Sequence, residues 1–265
     1  KKSTFIVNGG AGTGKTILGV YLFKLLMEVK ENNINIEDEI IDDNIQDILK
    51  IHSSIEKLNI GLVIPMENLR KTLKKVFKNV SGLNPNMVLS PNDVAKSDKQ
   101  FDLLIVDESH RLRKRKNLTQ YGSFDQNNKK FKLGNEGTEL DWIRLKSNYQ
   151  ILLYDEEQTI KPTDIDKEVF QIIAKEKNTH NYNLKTQLRC LLGGDEYINY
   201  IKEIFRNNPP KKKINFNEYE LKIFDNVDDM VQNIKSKNEI YGLCRNVAGY
   251  AWKWNSKGKK LPMHV

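Results

Sequence analysis

The chain has 265 residues, of which 38% are hydrophobic and 29% charged, enough apolar material for a real core in one large domain or two small ones. A net charge of +8 points to polyanionic partners, nucleic acid first among them, or to a Lys-rich proteome. Two cysteines, Cys190 and Cys244, exclude a disulfide framework and a zinc site. No run approaches the roughly 18 apolar residues of a membrane span, so the expectation is a reducing, cytoplasmic location without membrane contact.

The first predicted element is a buried strand over 4–7. It runs into Gly9, Gly10, Ala11, Gly12, Thr13, Gly14, Lys15 and Thr16, which fit G-x-x-x-x-G-K-[ST] at every fixed position. A helix follows over 15–29, with Leu18, Tyr21, Leu22, Leu25, Leu26 and Val29 on one face. Glycines let a backbone wrap closely round phosphates with its N–H groups inward, and the helix turns its positive end to the same anion. Lys15 is then placed to reach β- and γ-phosphates, and the Thr16 hydroxyl to ligate Mg²⁺. The ligand this pattern predicts is a nucleoside triphosphate, ATP with Mg²⁺.

Residues 31–59 are polar and acid-rich and read as an insertion. A second strand is predicted over 61–64, ended by Pro65, then a helix over 67–80 and a short strand over 87–89. The strongest strand, 101–106, ends on Asp107 and Glu108. Acids at a strand's carboxyl end face the ligand crevice of an open α/β sheet. Asp107 is suited to hold Mg²⁺ through water, and Glu108 to orient and deprotonate an attacking water. Arg111, Arg113, Lys114, Arg115 and Lys116 follow directly, either as a solvated basic loop or as contacts to a phosphate backbone. Residues 115–140, rich in Asn, Lys and Gly, are predicted as a long loop.

A further buried strand over 151–154 ends on Asp155-Glu156-Glu157-Gln158. Gln158 can hydrogen-bond a γ-phosphate or an attacking water, or be an ordinary polar loop residue. A second unit is expected from about residue 184. It opens with Arg189, which can serve as an arginine finger or as a solvated surface cation. It continues with a helix over 196–205, a strand over 221–224, a helix over 227–236 and a strand over 240–244. Tyr250, Trp252 and Trp254 alternate with Lys253 and can stack bases or pack a sheet. Strands alternating with helices predict an α/β fold with a parallel sheet covered on both faces.

The order of segments resembles a superfamily 1 helicase series and, more closely, the Schlafen group 3-like DNA/RNA helicase domain family. The carriers are the glycine loop, Val63-Ile64-Pro65-Met66 with Leu69-Arg70, the run from Val106 through Leu112, Tyr154-Asp155-Glu156-Glu157-Gln158, Gln187-Leu188-Arg189-Cys190, and the run from Gly242 through Tyr250. The resemblance implies two RecA-like lobes with ATP between them, the first over 1–183 (with 31–59 and 115–140 as insertions) and part of a second over 184–265. It implies an ATP-hydrolysing core of a helicase or translocase acting on single-stranded DNA or RNA. Gly9 to Thr16 would be motif I, Asp107 and Glu108 motif II, Gln158 the motif III glutamine and Arg189 the motif IV arginine touching the γ-phosphate. Arg245 lies in a following segment of the series. An adenine-reading glutamine motif is missing before the glycine loop, and the final arginine would lie beyond Val265. The chain is thus expected to be a fragment of a longer protein with further domains, such as a nuclease. The alternative, from another class, is a regulatory nucleotide-binding switch whose partner is a protein.

Overall fold

The computed structural model describes residues 2–30, 58–159, 161–186, 188, 194–206, 209–212, 214–216 and 219–247. All but the last two residues of the insertion predicted over 31–59 lie outside the described residues. The chain divides into two compact units, Lys1–Ile198 and Asn199–Val265.

In the first unit β1 (Ser3–Gly9), β2 (Ile60–Val63), β3 (Val88–Leu89), β4 (Phe101–Val106), β5 (Ser147–Tyr154) and β6 (Thr179–Leu184) form one sheet, in the order β3-β2-β4-β5-β1-β6. Every pairing is parallel. Helices α1 (Lys15–Lys30), α2 (Glu67–Asn79), α3 (Pro91–Lys96), α4 (Gly122–Phe131), α5 (Glu139–Lys146) and α6 (Lys167–Ala174) connect the strands. The result is an α/β fold consistent with a P-loop NTPase. The five strands predicted in this unit all form.

Parallel strands are apolar on both faces because helices cover both. Strand alternation divides the core in two. Ile6, Leu104, Val106, Leu152 and Tyr154 point to one side, where Val94 of α3, Leu140 and Ile143 of α5 and Phe170 of α6 meet them. Val7, Leu62, Ile105 and Leu153 point to the other, against Phe23 and Met27 of α1 and Leu73 and Phe77 of α2. Phe23 and Phe77 lie 5.5 Å apart by ring centroid. Gly19 lets α1 lie close on the sheet, since a Cβ there would stand 2.7 Å from Leu153 Cδ1. Helix α1 is thereby fixed behind β1, with its first turn at the sheet's carboxyl edge.

The segment predicted as a loop over 115–140 instead contains α4 and the start of α5. Two of its asparagines, Asn127 and Asn128, are buried hydrogen-bonding groups. Asn128 accepts from Trp142 Nε1 at 2.7 Å and donates to Gly134 O and Gly137 O at 3.0 and 3.1 Å. Phe124 packs on Trp142 at 4.6 Å. Thr138 and Asp141 form a capping box that starts α5. The polar composition that suggests a loop belongs here to a helix packed through side-chain amides.

In the second unit α8 (Val227–Tyr241) starts at Asn226, whose side chain accepts from Asp229 N, and stops at Gly242 with φ 68°. The strand predicted over 240–244 is therefore the end of a helix and its cap, and residues 221–224 are not in a strand. Preceding them, α7 (Gly194–Ile204) forms where a helix is predicted.

The basic run after β4 is held by counter-ions. Arg111 meets Asp164 at 3.0 Å, Lys114 meets Asp166, and Arg115 meets Asp125 at 2.6 Å. Arg113 grips Glu139 in a two-pronged pair at 2.9 and 2.6 Å, and its own N–H donates to the same carboxylate at 2.8 Å. Glu139 is 1% exposed, and burial pushes its carboxyl above the usual range despite Arg113. Removing the arginine would strand a buried carboxylate. Arg113→Ala is expected to lower the unfolding free energy by about 3 kcal/mol, read from the urea midpoint. Lys116→Ala, at an exposed position, should leave the midpoint in place.

Candidate functional site

The carboxyl ends of β1, β4 and β5 are neighbours in the sheet, and each carries a polar group. After β1 the chain turns through Gly12 at φ 87° and Gly14 at φ 83°, values glycine adopts freely. Thr13 closes the turn on Gly10 O through its hydroxyl at 2.9 Å, and α1 begins at Lys15. Lys15 is 7% exposed. Its Nζ donates to Gly9 O at 2.5 Å, Gly10 O at 2.8 Å and Asp155 Oδ2 at 3.3 Å.

Asp107 continues β4 by donating its N–H to Val63 O at 3.0 Å. Thr16 Oγ1 donates to Asp107 Oδ2 at 2.8 Å. The other oxygen, Oδ1, is buried without a protein partner, and the side chain is 1% exposed. Burial raises its carboxyl pKa, with the Thr16 hydrogen bond opposing and the neighbouring Glu108 adding to the rise. A hydroxyl and a carboxylate side by side, one oxygen unfilled, offer a hard cation two oxygen ligands. Among the described residues no cluster of three or more His, Cys, Asp or Glu is arranged to hold a metal by itself.

Glu108 has a left-handed backbone, φ 52° and ψ 42°, at the head of a short 3-10 turn over Ser109–Arg111. This conformation is costly for a residue with a Cβ. The turn is tied down by Ser109 Oγ, which donates to Leu153 O at 2.9 Å. His110 is fully buried, and its Nε2 lies 3.0 Å from Glu108 Oε2, close enough for attraction without the alignment of a hydrogen bond. That contact holds the Glu108 carboxyl below its ordinary range against the opposing effect of burial, leaving it ionised at neutral pH.

Past β5, Asp155 is 1% exposed. Gln158 sits in the next turn and donates through Nε2 to Asp155 Oδ2 at 2.7 Å. Ala11, Gly12, Gly14, Lys15, Thr16, Ile17, Glu108, Gln158 and Leu188 border a cleft of about 230 Å³. The structure thus brings together the glycine loop, Asp107, Glu108 and Gln158. Arg189, Tyr250, Trp252 and Trp254 lie outside the described residues, and Arg245 is exposed in the second unit. Sequence reasoning missed Leu188, whose N–H donates to Gly12 O at 2.9 Å and whose side chain lies where a Cβ on Gly14 would be. No local pattern announces such a contact. It also assigned nothing to Asp155, whose signal was its place at a strand's carboxyl end.

A second cleft of about 460 Å³ opens at the carboxyl ends of β2 and β3, with Arg70, Arg111, Arg113 and Lys161 in its walls. A third, of about 440 Å³, lies at the amino ends of the strands. Arg144 is engaged there by Glu176 at 2.5 Å and Lys2 by the carbonyls of Arg144 and Leu145. No helix among the described residues is long and apolar enough to cross a membrane.

A family model described as Schlafen group 3, DNA/RNA helicase domain, matches residues 2–265. The chain is also similar to an uncharacterized protein of Saccharomyces cerevisiae, YPL245W, at 23% identity over 277 aligned positions. The match covers 96% of this chain and 56% of that relative, so the chain spans little more than half the relative's length.

The two acids of the site should respond to pH in opposite senses. Asp107 holds its proton to higher pH in the folded chain than in the unfolded one. It therefore favours folding at low pH, and that contribution is lost as the pH rises to the raised folded value. Glu108 contributes stability above the ordinary carboxylate range and loses it as the pH falls through its lowered value. Asp107→Asn keeps the shape and the acceptor for Thr16. Its effect on the stability of the ligand-free chain is expected to be more favourable at neutral pH than at acid pH, where the wild-type carboxyl is itself protonated. Thermal melts across that range check both signs.

Proposed function

We propose that this chain, which belongs to the Schlafen group 3, DNA/RNA helicase domain family, is the ATP-binding and ATP-hydrolysing core of a superfamily 1-like helicase or translocase acting on single-stranded DNA or RNA. The observation that carries the reading is the convergence of Lys15, the Thr16–Asp107 pair, Glu108 and Gln158 on one cleft at the ends of three adjacent strands.

In this reading the N–H groups from Gly9 to Thr16 and the first turn of α1 cradle the phosphates, and Lys15 carries the positive charge to them. The orphan Asp107 Oδ1, next to the Thr16 hydroxyl, fits Mg²⁺, which keeps one or two protein ligands and takes the rest from phosphate and water. When bound, Mg²⁺ supplies neutralisation of charge on the phosphate oxygens. Glu108, ionised and held by His110, accepts a proton from the attacking water. Gln158 orients that water or meets the γ-phosphate, and Arg189 is assigned the γ-phosphate contact that the family resemblance implies. Residues 1–183 are assigned to a first RecA-like lobe and 184–265 to part of a second. Support for a nucleic-acid partner comes from the family's description and from the arginine-lined cleft beside the site. The internal pairing of Arg111, Arg113, Lys114 and Arg115 speaks for the alternative, a nucleotide switch with a protein partner.

Lys15→Ala is expected to abolish ATP binding in a calorimetric titration. Glu108→Gln should bind ATP as before and lose turnover about 100-fold; full turnover in that variant would remove Glu108 from the base role. A motor should further show ATPase activity raised by single-stranded DNA or RNA, and strand binding that weakens steeply with salt. A switch shows neither.

A further inference from the structure

The ammonium of Lys15 is the group a nucleotide must recruit, and its bonding capacity is already full. A lysine has three N–H donors and no acceptor. Lys15 Nζ has three acceptors, Gly9 O at 2.5 Å, Gly10 O at 2.8 Å and Asp155 Oδ2 at 3.3 Å. Asp155 is engaged on both oxygens. Its Oδ2 also accepts from Gln158 Nε2 at 2.7 Å, and its Oδ1 from Glu157 N at 3.1 Å. Lys15 and Asp155 are 7% and 1% exposed, so water is poorly placed to replace either partner. A phosphate oxygen reaches Lys15 only by taking over one of the three contacts. The Asp155 contact is the longest of them and the one made to a side chain rather than to the backbone of the loop itself.

We propose that Asp155 is a positioning residue that stands in for phosphate in the nucleotide-free site, holding Lys15 and Gln158 on one carboxylate oxygen and releasing Lys15 when a nucleotide arrives. The inference rests on the reading of this cleft as a nucleotide site. Binding has to break a buried ion pair, and the freed carboxylate then repels the incoming phosphate, so the Asp155 charge lowers affinity twice over. The same event leaves Gln158 as the remaining side-chain donor on Oδ2. Occupancy at Lys15 is thereby communicated to the turn that carries Gln158.

The test is titration of ADP, with and without Mg²⁺, into the 265-residue chain and its Asp155 variants. ADP has no γ-phosphate, so any direct contact of Gln158 with that group drops out. Asp155→Asn should bind ADP about tenfold more tightly than wild type. Without ligand it should melt lower, because Lys15 exchanges a carboxylate for a neutral amide oxygen and the amide nitrogen cannot accept from Glu157 N–H. In ATP turnover KM and kcat should fall together, since a neutral amide oxygen holds Gln158 less firmly than a carboxylate; a merely structural role would lower the melting temperature without tightening ADP. Asp155→Ser repeats the neutral test if the amide does not pack. Asp155→Glu keeps the charge and should bind as wild type does. Neutral variants that bind no tighter than a wild type that does bind overturn the role of Asp155 and leave the ATP reading standing. Equal tightening in Asp155→Glu overturns it as well. Binding in the neutral variants alone supports it, and binding by none of the proteins sinks both readings.

Discussion

A wholly parallel sheet collects the carboxyl ends of all its strands along one edge, and each loop leaving that edge begins where the ladder of backbone hydrogen bonds runs out. Everything distinctive about this chain depends on that constraint. Strand β5 lies between β1 and β4, so the loop after β1 faces the turns after β4 and β5 at close range. Thr16 reaches Asp107 and Lys15 reaches Asp155 without either acid leaving its own strand end. The helices supply the remaining condition. By packing on both faces they exclude water from the sheet, and at its rim the charges meet each other rather than solvent.

Buried charge is resolved differently in different places, and the differences mark the site. Glu139 is matched by three hydrogen bonds from one arginine, a closed arrangement with nothing left to offer. Asp155 is paired on both oxygens, and its two side-chain donors, Lys15 and Gln158, have other uses in the proposed chemistry. Asp107 alone of the three keeps an unfilled buried oxygen. An unpaired buried acceptor is expensive in a structure that has no use for it, so its position beside Thr16 is a stronger pointer than an acidic pair in sequence. The left-handed backbone of Glu108 belongs to the same pattern of local cost at the rim.

The strands of the sheet centre were legible because burial on both faces demands continuous apolar runs such as 61–64 and 101–106. Strand β6 was not. Its sequence Thr-His-Asn-Tyr-Asn-Leu is polar and mostly exposed, and only its register with β1 makes it a strand. Helix α4 was hidden for the opposite reason, since Asn127 and Asn128 are buried and bonded to groups that a linear reading cannot see. Within the site, the glycine loop and the acids after β4 were legible from spacing alone. The pairing of Lys15 with Asp155 was not, because it joins residues 140 positions apart. The partners of the basic run were not legible either. Its cations are visible in a line of sequence, whereas Asp125, Glu139, Asp164 and Asp166 are scattered between positions 125 and 166.

The register of β1 carries a consequence for how the molecule comes into being. Val7 lies opposite Leu153 on one side and Tyr182 on the other, so β1 gains its ladder partners only when neighbours some 150 and 180 residues downstream have been made. Pairings of such sequence separation are slow to form because the loop must close before the contacts repay it. The glycine loop depends on β1 for its shape. During synthesis this apolar strand waits exposed for those partners, a natural client for chaperones, and the glycine loop takes shape late in the folding of the unit.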